Sequence, residues 1–250
     1  MLLFIEPLLA WSLLAAAPPP VPSPDTTLWR VIGELAFTDV AGNRSLSLLS
    51  TKLAVSRRDP ARLELRASAG LRYGRSDGEL AVADYTFDLE SRLTPERPIS
   101  PFATFAANRD ETRNLEVRVA VAAGVDLNLV RDTLAQVAVG LAVLQDYEAV
   151  SLPPGSADPA NQTLTRLSLR FRAQLPIREG VSFRQQSMVQ PVADHPEDYL
   201  LTTETAVAVL LSERLALQTS FTFNRDTSPP EGVLFRNDRT LTVGLVVNLH

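Results

Sequence analysis

Apolar and polar residues alternate with a period of two along almost the whole chain. Over 116–129 the odd positions are Val117, Val119, Val121, Ala123, Val125, Leu127 and Leu129. The even ones are Glu116, Arg118, Ala120, Ala122, Gly124, Asp126 and Asn128. Successive side chains of a strand point to opposite faces, so this segment reads as a strand with one apolar face and one polar or small face. Residues 163–175 repeat the pattern, with Leu167, Leu169, Phe171 and Leu175 opposed to Arg166, Arg170, Arg172 and Gln174. Near the end of the chain Leu241, Val243, Leu245, Val247 and Leu249 share one face. No window carries the 3.6-residue period of an amphipathic helix, and past the N-terminal segment no apolar run nears the roughly 20 residues of a spanning helix.

Alternating runs between turn signals predict twelve strands: 29–38, 45–56, 62–74, 80–93, 101–108, 115–129, 133–147, 163–175, 181–191, 199–211, 215–224 and 239–250. The fifth is the least regular, because Phe102 and Phe105 have opposite parity. In the cores of the other eleven, the odd positions carry no charge. The even positions carry the acids Glu34, Glu64, Asp84, Asp88, Glu90, Asp126 and Glu204. They also carry the bases Lys52, Arg66, Arg72, Arg92, Arg118, Arg166, Arg170, Arg172 and Arg184.

Such a pattern fits a soluble β-sandwich or lipocalin-like barrel as well as a membrane barrel. Strand length and spacing favour the membrane. Sandwich strands are short and recur every ~8–12 residues, whereas these are long enough for the roughly 9–11 residues of a tilted membrane strand. The strand count is even, as in bacterial outer-membrane barrels. The connectors also alternate: 57–61, 94–100, 130–132, 176–180 and 212–214 are short, and the others mostly longer, with 75–79 the exception. The expectation is an all-β, antiparallel, up-and-down transmembrane β-barrel over 29–250, with even positions lining the lumen and odd positions meeting lipid.

Composition narrows the reading further. The chain has 250 residues, a net charge of −5 and no Cys, which argues against nucleic acid as a partner and removes thiol chemistry. Two His and no Cys leave little with which to hold a metal or cofactor, so none is expected. Residues 1–17 read as an export signal: an apolar stretch ends in Ala15-Ala16-Ala17. The n-region lacks a basic residue and Pro18 follows Ala17, so the cleavage point is left open. Residues 18–28 form a Pro-rich lead-in. Aromatics are only 6% of the chain, sparse for the interfacial girdles of a barrel.

Several stretches resemble the YdiY-like family of unknown function, described as salt-induced outer-membrane proteins. They are Gly33-Glu34-Leu35-Ala36-Phe37 with Gly42-Asn43, then Ser91-Arg92-Leu93 with Asn108-Arg109-Asp110. The last is Asn224-Arg225-Asp226-Thr227-Ser228-Pro229-Pro230-Glu231-Gly232, followed by 238–245. The resemblance implies a small barrel in the outer membrane of a Gram-negative bacterium and brings no catalytic residues. One departure is the ending Asn248-Leu249-His250, where outer-membrane strands commonly close on an aromatic residue. Outer-membrane lipid and the barrel-assembly machinery are the expected partners.

The even-face charges are the one constellation with chemistry in it. They line either a narrow pore for ions or small solutes, or a salt-bridged interior with a structural, stress-related role. Arg166, Arg170 and Arg172 form a ladder, the seventh strand's inward Gln136, Ala138, Gly140 and Ala142 offer no acid, and Asp84, Asp88 and Glu90 cluster on the fourth strand. That split predicts a field across the lumen, closed if the arginines reach the carboxylates. A lipid esterase would need a Ser beside a His; His195 lies in a loop, His250 ends the chain, and no Gly-x-Ser-x-Gly elbow occurs.

Overall fold

The computed structural model describes residues 29–40, 46–59, 62–77, 79–111, 115–132, 135–152, 159–229 and 237–248. The segments 1–17 and 18–28, and His250, lie outside the described residues. Twelve strands are present: β1 (Trp29–Val40), β2 (Leu46–Asp59), β3 (Leu63–Ser76), β4 (Glu79–Leu93), β5 (Ile99–Asp110) and β6 (Leu115–Arg131). They continue with β7 (Gln136–Val150), β8 (Asn161–Arg178), β9 (Val181–Pro191), β10 (Tyr199–Leu210), β11 (Leu215–Asp226) and β12 (Asn237–Asn248). Each pairs antiparallel with its sequence neighbours, and β12 returns to β1, closing an up-and-down barrel. Closure leaves no edge, so every strand finds ladder partners within the membrane.

One rule explains why residue parity reads the whole molecule. In the body of every strand pair, even numbers pair with even and odd with odd: Glu34 with Lys52, Arg72 with Asp84, Asp126 with Gly140, Val246 with Glu34. A slip of one residue in any connector would flip all later side chains to the other face. Register shifts fall only near strand ends, at Gly74/Arg75, Asn108/Asp110, Leu115/Val117, Asn128/Val130 and Pro176/Arg178. The middle of the barrel therefore keeps one phase.

The barrel is apolar outside and polar inside. Among the described residues, all the large exposed hydrophobics carry odd numbers except Leu80 and Val130, which lie at strand ends. Every buried polar or charged residue described carries an even number. A molecule with this inside-out distribution is stable in lipid, where the outer face has an apolar solvent and the charges face one another.

The fifth strand's irregular parity has a simple cause. Phe102 points inward and is buried, while Phe105 points out and meets Phe87 edge-on at 6.2 Å. The strand is real and longer than 101–108. The strand ends that the short connectors join (Asp59 and Leu63, Leu93 and Ile99, Arg131 and Gln136, Arg178 and Val181, Leu210 and Leu215) lie at the end where β1 begins and β12 finishes. In the tightest, Gly180 takes the left-handed conformation (φ 70°). Tyr73, Tyr85, Tyr147 and Tyr199 all lie in the half of their strands toward the other end. Trp29, with Arg57 5.7 Å from its ring, marks the first end.

Candidate functional site

The lumen is built from cross-strand rows, and one of them decides its shape. Asp126 on β6, Gly140 on β7 and Arg170 on β8 are register partners in sequence. Gly140 has no side chain, so its neighbours meet over it. Arg170 donates from Nε to Asp126 Oδ1 at 3.0 Å and from Nη2 to Oδ2 at 2.8 Å. This two-pronged geometry is the strong form of an Arg–carboxylate pair. A Cβ on Gly140 would fall on Asp126 Oδ1 and 2.8 Å from both Cγ and Nε of Arg170.

Further charges gather on this pair. Arg172 donates to Asp126 Oδ2 at 2.5 Å, and Arg92 Nε stands 3.2 Å from the same atom. Asp126 is fully buried beneath these three guanidiniums. From β4, Glu90 accepts from Arg92 and lies 3.7 and 3.6 Å from Arg170 and Arg172. Glu64 on β3 is 3.3 Å from Arg92. The guanidinium carbon of Arg170 sits 3.3 Å from the ring centre of Phe102, which explains a phenylalanine on the lumen face. The arginines of β8 and the carboxylates of β4 therefore meet across the lumen, with Asp126 between them.

A second ionic layer lies nearer the long-connector end. Arg118 on β6 donates to both oxygens of Asp146 on β7, from Nε at 2.8 Å and from Nη2. Arg166 Nε is 3.5 Å from Asp146. Its Nη1 is 3.2 Å from the Gln190 carbonyl and 3.4 Å from Asp198 in the connector 192–198. Asp146 corrects the expectation that the seventh strand has no inward acid. That reading covered Gln136 to Ala142; the same even-position rule, carried to the end of the strand, finds Asp146. Asp198 lies outside any strand, where parity gives no signal.

Between the two ionic layers is an apolar collar of Phe102, Ala120, Ala122, Ala142 and Leu144, with Ala106 against it. The cavity left there is about 20 Å³, room for one or two waters. Elsewhere Arg72 pairs with Asp84, Ser68 Oγ donates to Asp88 at 3.2 Å, and Arg184 donates to Glu204 at 2.5 Å. Glu34 and Lys52 face each other in register on β1 and β2.

The wall formed by β10, β11, β12 and the first two strands is different. Its inward residues include Ser50, Thr202, Gln218, Ser220, Thr222 and Thr242, all half-buried. Towards the chain-terminal end this wall closes on Ile32, Ala54, Ala216 and Val246, with Leu210 packed beside them. The interior is thus lopsided: ion-paired side chains are densest over β3–β9, while the opposite wall carries mainly short hydroxyl and amide groups, with Glu34, Lys52, Glu204 and Asp238 among them. His195 Nδ1 is 3.6 Å from Glu197, both well exposed on the outer connector.

The row at Gly140 gives a direct prediction. Gly140→Ala forces Asp126 and Arg170 apart and costs about 1–3 kcal/mol, the usual range for overpacking. Urea unfolding of the protein refolded into vesicles measures it; an unmoved midpoint would show that the row is not tightly packed.

Comparison with known proteins places this architecture. A family model described as "Protein of unknown function, DUF481" matches residues 33–249. The chain belongs to this family. That agrees with the resemblance read from the sequence. A search of curated proteins finds no match. Among solved structures, the DUF481 barrel is similar to the NanC porin, at TM-score 0.52 and 7% identity, over 88% of this chain and 100% of that one. It is also similar to the translocator domain of the autotransporter NalP from Neisseria meningitidis, at TM-score 0.50 and 9% identity, over 89% of each chain. At such identities the likeness is one of fold: the DUF481 barrel resembles outer-membrane porins and autotransporter barrels.

Proposed function

We propose that the protein is a narrow outer-membrane channel with an off-centre bore. Ions and small solutes pass along the Ser/Thr wall of β10–β12 and β1–β2, while the ion-paired half fills the rest of the lumen. The observation that carries this reading is the division of the interior. Charged groups on β4, β6, β7 and β8 are held in mutual pairs and shielded, whereas Ser220, Thr222 and Thr242 are uncharged and only half-buried. Hydroxyl groups solvate a passing ion without trapping it, which suits conduction through a tight space.

The role is passive rather than catalytic. Export by residues 1–17, insertion by the barrel-assembly machinery and residence in the outer membrane of a Gram-negative bacterium complete the proposal. They are supported by the lipid-facing exterior and the porin-like fold.

Planar bilayers test it. The purified, refolded barrel is expected to give small, reproducible conductance steps, and Ser220→Trp is expected to shrink them. No steps at any salt concentration would overturn the channel and favour a structural barrel of the envelope, as the stress-related resemblance implies.

A further inference from the structure

We propose that Arg225, Arg239 and Asn237 form a site on the outer face of the barrel for a lipid headgroup that ends in a phosphate monoester. The inference goes beyond the channel, because it concerns the face that meets the membrane and not the lumen. All three residues carry odd numbers and all three are exposed. Arg225 on β11 is the register partner of Asn237 on β12, and Phe223 is the partner of Arg239. The two arginines are therefore diagonal neighbours on one face, about 7–8 Å apart at the backbone. Asn237 and Arg239 follow one another on the same face of β12, roughly 7 Å apart along the strand.

Their height suits a headgroup. From Leu215, at the short-connector end of β11, to Arg225 the strand rises roughly 26 Å, at about 3.4 Å per residue and a ~40° tilt. The apolar band of an outer-membrane barrel is about 25 Å tall. Leu241, 69% exposed, lies below Arg239 on the same face of β12. The arginines thus stand where hydrocarbon gives way to phosphate. Aromatic rings mark the same boundary. The guanidinium carbon of Arg225 is 6.0 Å from the ring centre of Tyr199, and that of Arg239 is 6.0 Å from that of Phe223. Each ring attracts its guanidinium and limits how far it swings.

The charges point the same way. Among the described residues neither Arg225 nor Arg239 has an ion pair or a hydrogen bond. Arg109, an outward arginine on the opposite side of the same rim, is instead 3.3 Å from Glu111. The β11–β12 rim therefore presents two positive charges and an amide donor with no described carboxylate engaged by them. Guanidinium offers only donors and stays protonated, so the complementary group is an acceptor, favoured if anionic. At this height in a membrane that group is a lipid phosphate, whose oxygens match the fork of guanidinium N–H groups. A phosphodiester carries one negative charge, whereas a monoester carries nearly two at neutral pH. Two arginines match the monoester.

Native mass spectrometry of the refolded barrel in a neutral detergent tests the site. The probe is a short-chain phosphatidic acid, with phosphatidylglycerol and inorganic phosphate as comparisons. One phosphatidic acid is expected to bind ahead of phosphatidylglycerol. Arg225→Gln and Arg239→Gln should each weaken it about fivefold, and the two together more, while Arg109→Gln leaves it unchanged. These side chains are exposed, so the fold is expected to survive each change, and circular dichroism checks it. Binding of phosphatidic acid that survives the double change, or that never appears, would overturn the site. Equal binding of the two lipids would overturn the monoester, and inorganic phosphate held as tightly as phosphatidic acid would show that the ligand is not a lipid. None of these readouts needs conduction, so a silent bilayer with the lipid preference intact would sink the channel alone.

Discussion

Replacing Asp126 with Ala is expected to be the most damaging single change inside the barrel, costing about 3–5 kcal/mol. The carboxylate is fully buried and accepts hydrogen bonds from Arg170 and Arg172, with Arg92 at 3.2 Å. Removing it does not merely lose attractive pairs. It leaves three guanidiniums to share Glu90 and, through Arg92, Glu64, in a space shielded from bulk water. Uncompensated buried charge is the expensive outcome, more than the pair itself is worth. Two consequences are measurable. The urea midpoint in vesicles falls, and a second change, Arg172→Met, recovers part of the loss because it removes surplus positive charge. If the protein conducts, the reversal potential in a salt gradient shifts toward anion preference. The complementary change, Arg170 and Arg172 together to Ser, frees Asp126 and Glu90 and shifts it toward cations with a higher conductance. A double-mutant cycle in which Asp126→Ala and Arg172→Met simply add would show the two side chains are not coupled.

The outline of this barrel was legible because its chemistry repeats at every strand. Period-two alternation needs only local sequence, and each strand reports it independently, as the seven odd apolar residues from Val117 to Leu129 illustrate. The even-numbered charges were legible for the same reason. Which of them touch was not. Asp126 and Arg170 belong to strands separated by a third, and their contact depends on Gly140, a residue that looks like a weakness in a strand until its register partners are known. The arginines of β8 could be matched with the acids of β4 only as two sets across a barrel. That Asp126 joins them follows from a glycine's missing side chain. Phe102 showed only as an irregular parity in the fifth strand; the reason for a large aromatic on the lumen face is Arg170, stacked on it. Nor was the lopsidedness legible, although every hydroxyl on the open wall has the even parity of the charges.

That lopsidedness sets up the other large effect, an arginine scan of the two faces. Leu169 on β8 faces lipid, 47% exposed, near the middle of its strand. Leu169→Arg puts a charge into hydrocarbon and is expected to cost about 2–4 kcal/mol, with the same expectation at Val139. The lumen face does not respond uniformly. Parity alone nominates Ala120 and Ala138 as tolerant inward positions, but both are buried, Ala120 within the apolar collar and Ala138 beside Arg172 in register. An arginine there meets packed atoms or a like charge, so these sites are expected to be damaging for a reason unrelated to lipid. Thr242 on β12 is the fair lumenal control. It is half-buried on the hydroxyl wall, paired in register with Ser220, and a long side chain there extends into water. Thr242→Arg should therefore leave the urea midpoint within about 0.5 kcal/mol of the parent, as for a solvated surface change. In a bilayer it should also narrow the bore and lower the unit conductance. Equal destabilisation by Leu169→Arg and Thr242→Arg would contradict the assignment of faces. A stable Thr242→Arg barrel with unchanged conductance would place the conducting path somewhere other than this wall.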